Sequence, residues 1–406
     1  MVASPPSHRV HRAAHRSRSR PRARILALVG ILISAGCQVG DGQMEQGKGE
    51  LDAPAGVASV SAPDGSASAA SLAPTALLDR RDLHAGVGLD SALIAQAVER
   101  AGAQSRLHNM IVARHGEVLV ERHFRGPPPD RPANVKSVSK SLLSALVGLA
   151  IQEGHLPEVD TPIGSYFSEY LENGEAARDP KAAITVGDLL SMSSGLESTS
   201  FGNYGRWVAS SDWVGWVLSR PMNFEPGERM VYSTGNTHLV SALLTRAAGE
   251  STHRLARRAL AEPMGIQLPP WPQDPHGIYF GGNDMLISPR GLLRFGEMYR
   301  NGGVLDDRRI LPRQWVEESW RVRVHSRRDG NGYGLGWWAR EAGDHEVRFA
   351  WGYGGQFLFI VPELELTVVF TSDPWSAREG GHNRVLHDLV DDFLVPAAVL
   401  GSGPGD

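Results

Sequence analysis

Strand-like segments stand at both ends of the folded part of this chain, and helix-like segments fill its middle. Residues 110–114 and 117–121 are apolar runs around His115-Gly116, a pattern that predicts a β-hairpin. Towards the other end, 334–338, 347–350, 356–361 and 366–371 read as successive strands with tight turns, followed by a closing helix at 382–394. Between them, 186–192, 212–218 and 237–248 read as helices broken by loops. The pattern predicts an α+β fold: an antiparallel sheet formed by both chain ends, flanked by helices, with an inserted mostly helical lobe at about 157–268.

The first residues read as an export signal. Seven arginines between Arg9 and Arg24 precede an apolar run, 25–35, that closes on Ser34-Ala35-Gly36-Cys37. Eleven apolar residues fall short of the roughly twenty that a membrane-spanning helix needs. A signal peptide at 1–36 is therefore expected. Cys37 is the one cysteine and has no internal disulfide partner. Ala35-Gly36-Cys37 looks like a lipoprotein cleavage box, although Ser34 stands where such boxes usually place Leu. Lipidation at Cys37 is the expectation and an inert buried thiol the alternative. The protein is expected outside the cytoplasm, periplasmic or cell-surface, touching a membrane only through that anchor.

Residues 37–76 are rich in Gly, Ser, Ala and Pro with few bulky apolar side chains, and read as a flexible tether. The folded domain is expected at 77–396, with 397–406 a tail. Removing 1–36 takes away seven arginines and no acid, so the formal charge falls from −4 to −11, which argues against a nucleic-acid partner. His8, His11 and His15 lie in the segment expected to be removed, so no metal site is assigned to them.

Ser137-Val138-Ser139-Lys140 opens an apolar helical segment at 137–151. Positions three apart share one helix face, so the Lys140 amine can reach the Ser137 hydroxyl, and free amides at a helix start favour developing negative charge. A serine needs a neighbouring base, and a lysine serves only if burial or a positive neighbour such as Lys136 lowers its pKa. On its own this tetrapeptide is equally an N-capping serine with a solvated lysine. The chain carries only Lys48, Lys136, Lys140 and Lys181, with Arg used elsewhere, and Arg cannot act as a base.

Two further elements follow. Glu225-Pro226-Gly227 leads through Val231-Tyr232-Ser233-Thr234 to Gly235-Asn236 ahead of a helix, placing Tyr232 on a loop where it can shuttle protons. Trp351-Gly352-Tyr353-Gly354-Gly355 precedes the apolar run 357–361, and its glycines permit close backbone approach to a ligand. A phosphate loop is not expected there, because a strand and not a helix follows.

In this order and with these separations, the three elements resemble the serine β-lactamase and penicillin-binding-protein superfamily, particularly class C β-lactamases, related esterases and 6-aminohexanoate-dimer hydrolases. The resemblance runs from about Met110 to Thr371, with support from 184–196 and from 292–296 before Asn301-Gly302-Gly303. It implies a β-lactamase/transpeptidase-like fold, Ser137 as nucleophile, Lys140 as its proton partner and Tyr232 as general base. It also implies an oxyanion hole from the backbone amides of Ser137 and Tyr353. Thr234 falls where the family's Tyr-x-Asn element has Asn. Ala350-Trp351-Gly352 replaces Lys-Thr-Gly, removing the cation that holds a substrate carboxylate, with Arg348 the nearby candidate to compensate.

Thr234, Trp351 and Gly352 are thus expected at the substrate, in an apolar setting suited to a small neutral ester or amide, with no metal or organic cofactor. A β-lactamase or D,D-peptidase and a catalytically silent cleft-binding protein are the competing readings. Penicillin labelling of Ser137 separates the first, and failure of every ester, amide and probe to react separates the second. The sequence leaves the oligomeric state open.

Overall fold

The computed structural model describes residues 88–171, 179–375 and 381–401, all within one compact unit at 73–406. The expected signal peptide, the tether and Cys37 lie outside the described residues. Helix α1, Ser91–Gly102, is capped by the Asp90 carboxylate, which accepts from Leu93 N. It leads into β1, Leu107–Arg114, and β2, Glu117–His123. Their turn uses His115 at φ 51° and Gly116 at φ 85°, the left-handed pair that matches strand twist in a two-residue hairpin.

The chain then forms α2, Ser139–Gln152, and crosses a region of short helices to α3, Thr234–Ala248, and α4, Pro289–Arg300. Six strands follow: β3, Val324–His325; β4, Gly332–Tyr333; β5, Trp338–Ala342; β6, His345–Gly352; β7, Gln356–Val361; and β8, Leu366–Ser372. Helix α5 is His382–Leu389.

The eight strands form one antiparallel sheet in the order β2-β1-β8-β7-β6-β5-β4-β3. β8 bridges the chain ends, with Met110 opposite Phe370 and Val112 opposite Val368. Alternate side chains enter separate cores, because successive strand residues point to opposite faces. Ile111, Leu358, Ile360 and Val369 pack with Leu142, Leu146 and Phe295 of α2 and α4. Met110, Val112, Phe357 and Phe359 pack with Ile94, Leu386 and Leu389 of α1 and α5. Helices on both faces explain why β7 is buried throughout and apolar from Phe357 onward, not alternating.

Several expectations need correction. Residues 334–337 are not a strand: β4 ends at Tyr333, β5 starts at Trp338, and the turn between them packs under α2. Gly336, at φ 81°, has room for no side chain, since a Cβ would lie 2.9 Å from Lys140 O. The Ser141 hydroxyl donates to Gly336 O at 2.6 Å. Ser137 belongs to a 3₁₀ turn, Lys136–Val138, immediately ahead of α2. The closing helix passes through a π-helical turn, Val390–Leu394, into Val395–Gly401, so part of the expected tail is helical with Ala397 and Ala398 buried.

Candidate active site

Local geometry aims Ser137 before any tertiary contact is considered. Lys136 takes a left-handed φ of 50°, unusual for a residue with a side chain, and turns the chain sharply into the 3₁₀ turn. That conformation is pinned on several sides. Asn134 Oδ1 accepts from Lys136 N at 2.8 Å, Val135 N donates to Met285 O at 3.1 Å, and Lys136 Nζ pairs with Asp284 at 2.9 Å. The Trp375 ring covers the same ammonium, its centroid 3.5 Å away.

One helical turn on, Lys140 is buried. Its Nζ stands 3.1 Å from Ser137 Oγ, 3.4 Å from Thr234 Oγ1 and 2.7 Å from Gly282 O. Burial lowers its pKa from 10.5 to about 7, against the opposing pull of the Asp284 carboxylate. Lys136, expected to help depress it, is instead neutralised by Asp284, so desolvation is the cause.

Tyr232 arrives from the distant loop. Its ring lies 5.1 Å from Lys140 Nζ and stacks on Trp338, centroids 6.2 Å apart at 18°. Part of the side chain remains accessible, yet enclosure of the phenol pushes its pKa up to about 12 while a hydrogen bond with Ser137 pulls the other way. The segment 192–200 brackets this loop: Val231 N donates to Met192 O at 2.7 Å and Ser198 Oγ to Tyr232 O at 2.7 Å. Thr234 is buried at the start of α3, its hydroxyl 3.1 Å from Ser200 Oγ as well as in reach of Lys140.

Gly352 closes another side. A Cβ there would fall 2.3 Å from Val135 O and 3.2 Å from Lys136 Cβ, so the turn carrying Tyr353 runs beside the residues preceding Ser137. Tyr353 is exposed. The half-buried Trp351 packs against Phe357 and Trp338. Arg348, the candidate replacement cation, pairs with Glu346 on its own strand, four residues before Gly352.

The structure thus brings Ser137, Lys140, Tyr232 and Thr234 together and sets Gly352 at their edge. The sequence reading missed Gly282 O, Ser200 and the Asp284 pair. The Gly281-Gly282-Asn283-Asp284 cluster was the available signal, since a Cβ on Gly281 would lie 2.0 Å from Thr237 O. Among the described residues, no group of three or more His, Cys, Asp or Glu is placed to hold a metal ion.

The Beta-lactamase family model matches residues 91–390, and the chain belongs to that family, within the serine β-lactamase and penicillin-binding-protein superfamily of hydrolases. A 6-aminohexanoate-dimer hydrolase of Paenarthrobacter ureafaciens is 25% identical over 276 residues, covering 61% of this chain. The match spans just under two thirds, 66%, of that relative. A penicillin-binding protein homologue from Caulobacter crescentus has the same fold, with TM-score 0.61 and 18% identity over 76% of this chain and 97% of its own. So does EstCE1, a hydrolase with promiscuous acyltransferase activity, at TM-score 0.58 and 19% identity over 74% and 96%.

Proposed function

We propose that this protein cleaves small neutral esters or amides through an acyl-enzyme on Ser137. The observation that carries the reading is a buried amine placed 3.1 Å from the Ser137 hydroxyl, where desolvation lowers its pKa to about 7. Unprotonated Lys140 takes the hydroxyl proton as Ser137 Oγ bonds to the substrate carbonyl carbon. Backbone amides of Ser137 and Tyr353 face the oxyanion. The tetrahedral adduct collapses, and the leaving group departs with a proton passed from Lys140 through the Tyr232 phenol. Water then attacks the ester on Ser137 and releases the acid.

The two opposed pKa shifts support Lys140, and not Tyr232, as the proton acceptor near neutral pH, with Tyr232 keeping its proton until the leaving group needs one. The apolar surroundings support a neutral substrate. Among the described residues, the exposed aromatic side chains are Phe201, Tyr353 and Trp375. Each adjoins the site: Phe201 follows Ser200, Tyr353 follows Gly352, and Trp375 covers Lys136. The cation of the family's Lys-Thr-Gly element is replaced by Ala350-Trp351-Gly352, and Lys136 is occupied by Asp284.

The test uses p-nitrophenyl butyrate turnover and a fluorophosphonate probe. Wild type is expected to turn over and to label at Ser137; equal labelling and turnover in Ser137→Ala would end the reading. Fluorescent penicillin on Ser137 with no ester turnover would favour a β-lactam or peptide substrate, and inertness to all probes in a folded protein would favour a binding role. Export and lipidation at Cys37 belong to the same proposal, tested by comparing membrane fractions of wild type and Cys37→Ala.

A further inference from the structure

His238 and Asp274 form a pair that the proposed reaction does not use directly. Both side chains are fully buried, with His238 Nε2 and Asp274 Oδ2 3.0 Å apart. Trp207, Trp213 and Phe280 surround the imidazole, with ring centroids 5.9, 5.2 and 6.0 Å away. An acid and an imidazole cost free energy in such surroundings unless their hydrogen bonds are complete. They are satisfied: Asp274 Oδ1 accepts from His276 N and Ile278 N, each at 2.9 Å, and His238 Nδ1 accepts from Gly281 N at 3.3 Å. A ring nitrogen that accepts an amide proton carries none itself, so Nε2 holds the proton and donates it to Asp274.

The held amide belongs to the turn that grips Lys140. The Thr237 hydroxyl is shared between Thr234 O, at 2.9 Å, and Gly281 O, at 3.1 Å, so both sides of Gly281 are clamped. The next carbonyl, Gly282 O, accepts from Lys140 Nζ at 2.7 Å. Gly282 is at φ 74°, and a Cβ there would stand 2.7 Å from Lys140 Cγ, so nothing larger fits between turn and lysine.

We propose that His238 and Asp274 are positioning residues: through Gly281 they fix the Gly282 carbonyl, which engages one Lys140 N–H and leaves the amine lone pair facing Ser137 Oγ. The inference rests on the acyl-enzyme reading of Ser137, but its closing experiment can be read without turnover. The full chain contains four lysines, so Cε-labelled lysine gives few signals and the one titrating near pH 7 is assigned by its loss in Lys140→Met. The charged or titratable groups facing Lys140 are the Tyr232 phenol and the Asp284 carboxylate, and the variants leave both untouched.

Asp274→Asn must turn an N–H either towards His238, forcing the other tautomer against Gly281 N–H, or towards the amides of His276 and Ile278. Thr237→Val releases the other side of Gly281 and changes no charge. In both, the Lys140 midpoint is expected to fall by about half a pH unit as the ammonium loses an acceptor. The kcat is expected to drop about tenfold with KM little changed. His238→Gln, whose amide can both donate to Asp274 and accept from Gly281, is expected to retain most of the wild-type rate. An unmoved Lys140 midpoint in both variants overturns the inference whatever the rates do, and Thr237→Val decides alone if Asp274→Asn fails to fold. Absence of probe labelling on wild-type Ser137 refutes the acyl-enzyme reading instead and leaves the titration readable.

Discussion

The Thr234 hydroxyl lies 3.4 Å from Lys140 Nζ, so the residue standing in place of the family's asparagine still reaches the amine. Thr234→Val removes that contact and the one to Ser200 at nearly constant volume. The expected outcome is a loss of about tenfold in kcat, with circular dichroism unchanged, read from steady-state ester hydrolysis.

A base with pKa about 7 gives a pH profile of known sign. On the proposed mechanism Lys140 is inactive when protonated in acid, so kcat/KM should rise with pH through a midpoint near 7. Lys140→Arg should remain inactive throughout, because a guanidinium does not give up its proton in this range.

The same lysine sets a stability gradient. Its folded pKa is depressed below the unfolded value, so between about 7 and 10.5 the unfolded chain binds the extra proton. Stability from this group is therefore present at high pH and is lost as pH falls through that window. Lys140→Met should flatten this part of the dependence and raise stability at pH 7 by a few kcal/mol, measured by urea unfolding at several pH values.

Tyr232→Phe keeps the ring on Trp338 and removes only the hydroxyl. Folding should be unaffected and kcat should fall by about a hundredfold, while the midpoint near 7 persists because the base is retained. Disappearance of that midpoint in the variant would assign it to the phenol instead.

Trp375 is 73% exposed and lies over Lys136. Trp375→Ala should raise KM several-fold for aryl or longer acyl esters and less for acetate, with kcat nearly constant, since uniform binding is what a remote apolar contact supplies.

The sheet was legible because its hairpin and final strands are local patterns of alternation and turn residues. Ser137 and Lys140 were legible because three-residue spacing on a helix is written in the sequence itself. The 334–337 segment misled because glycines between apolar residues look alike in a strand and in a turn tucked under a helix. Gly282 O escaped notice for another reason: a backbone acceptor has no residue type to announce it. The His238–Asp274 pair was equally hidden, its members being 36 positions apart and joined only by the packing of a loop on α3.

The place of β8 between β1 and β7 also governs how such a chain comes to be folded. The first hairpin finds its neighbour only after some 250 further residues have been made, with Ala113 awaiting Thr367. Pairing across that separation carries a large loop-closure cost, and a chain cut short before residue 366 has no means of joining its two ends. Synthesis must run almost to the last helix before Ser137 acquires a rigid floor, so on the proposed mechanism a nascent or truncated polypeptide is expected to stay chemically silent.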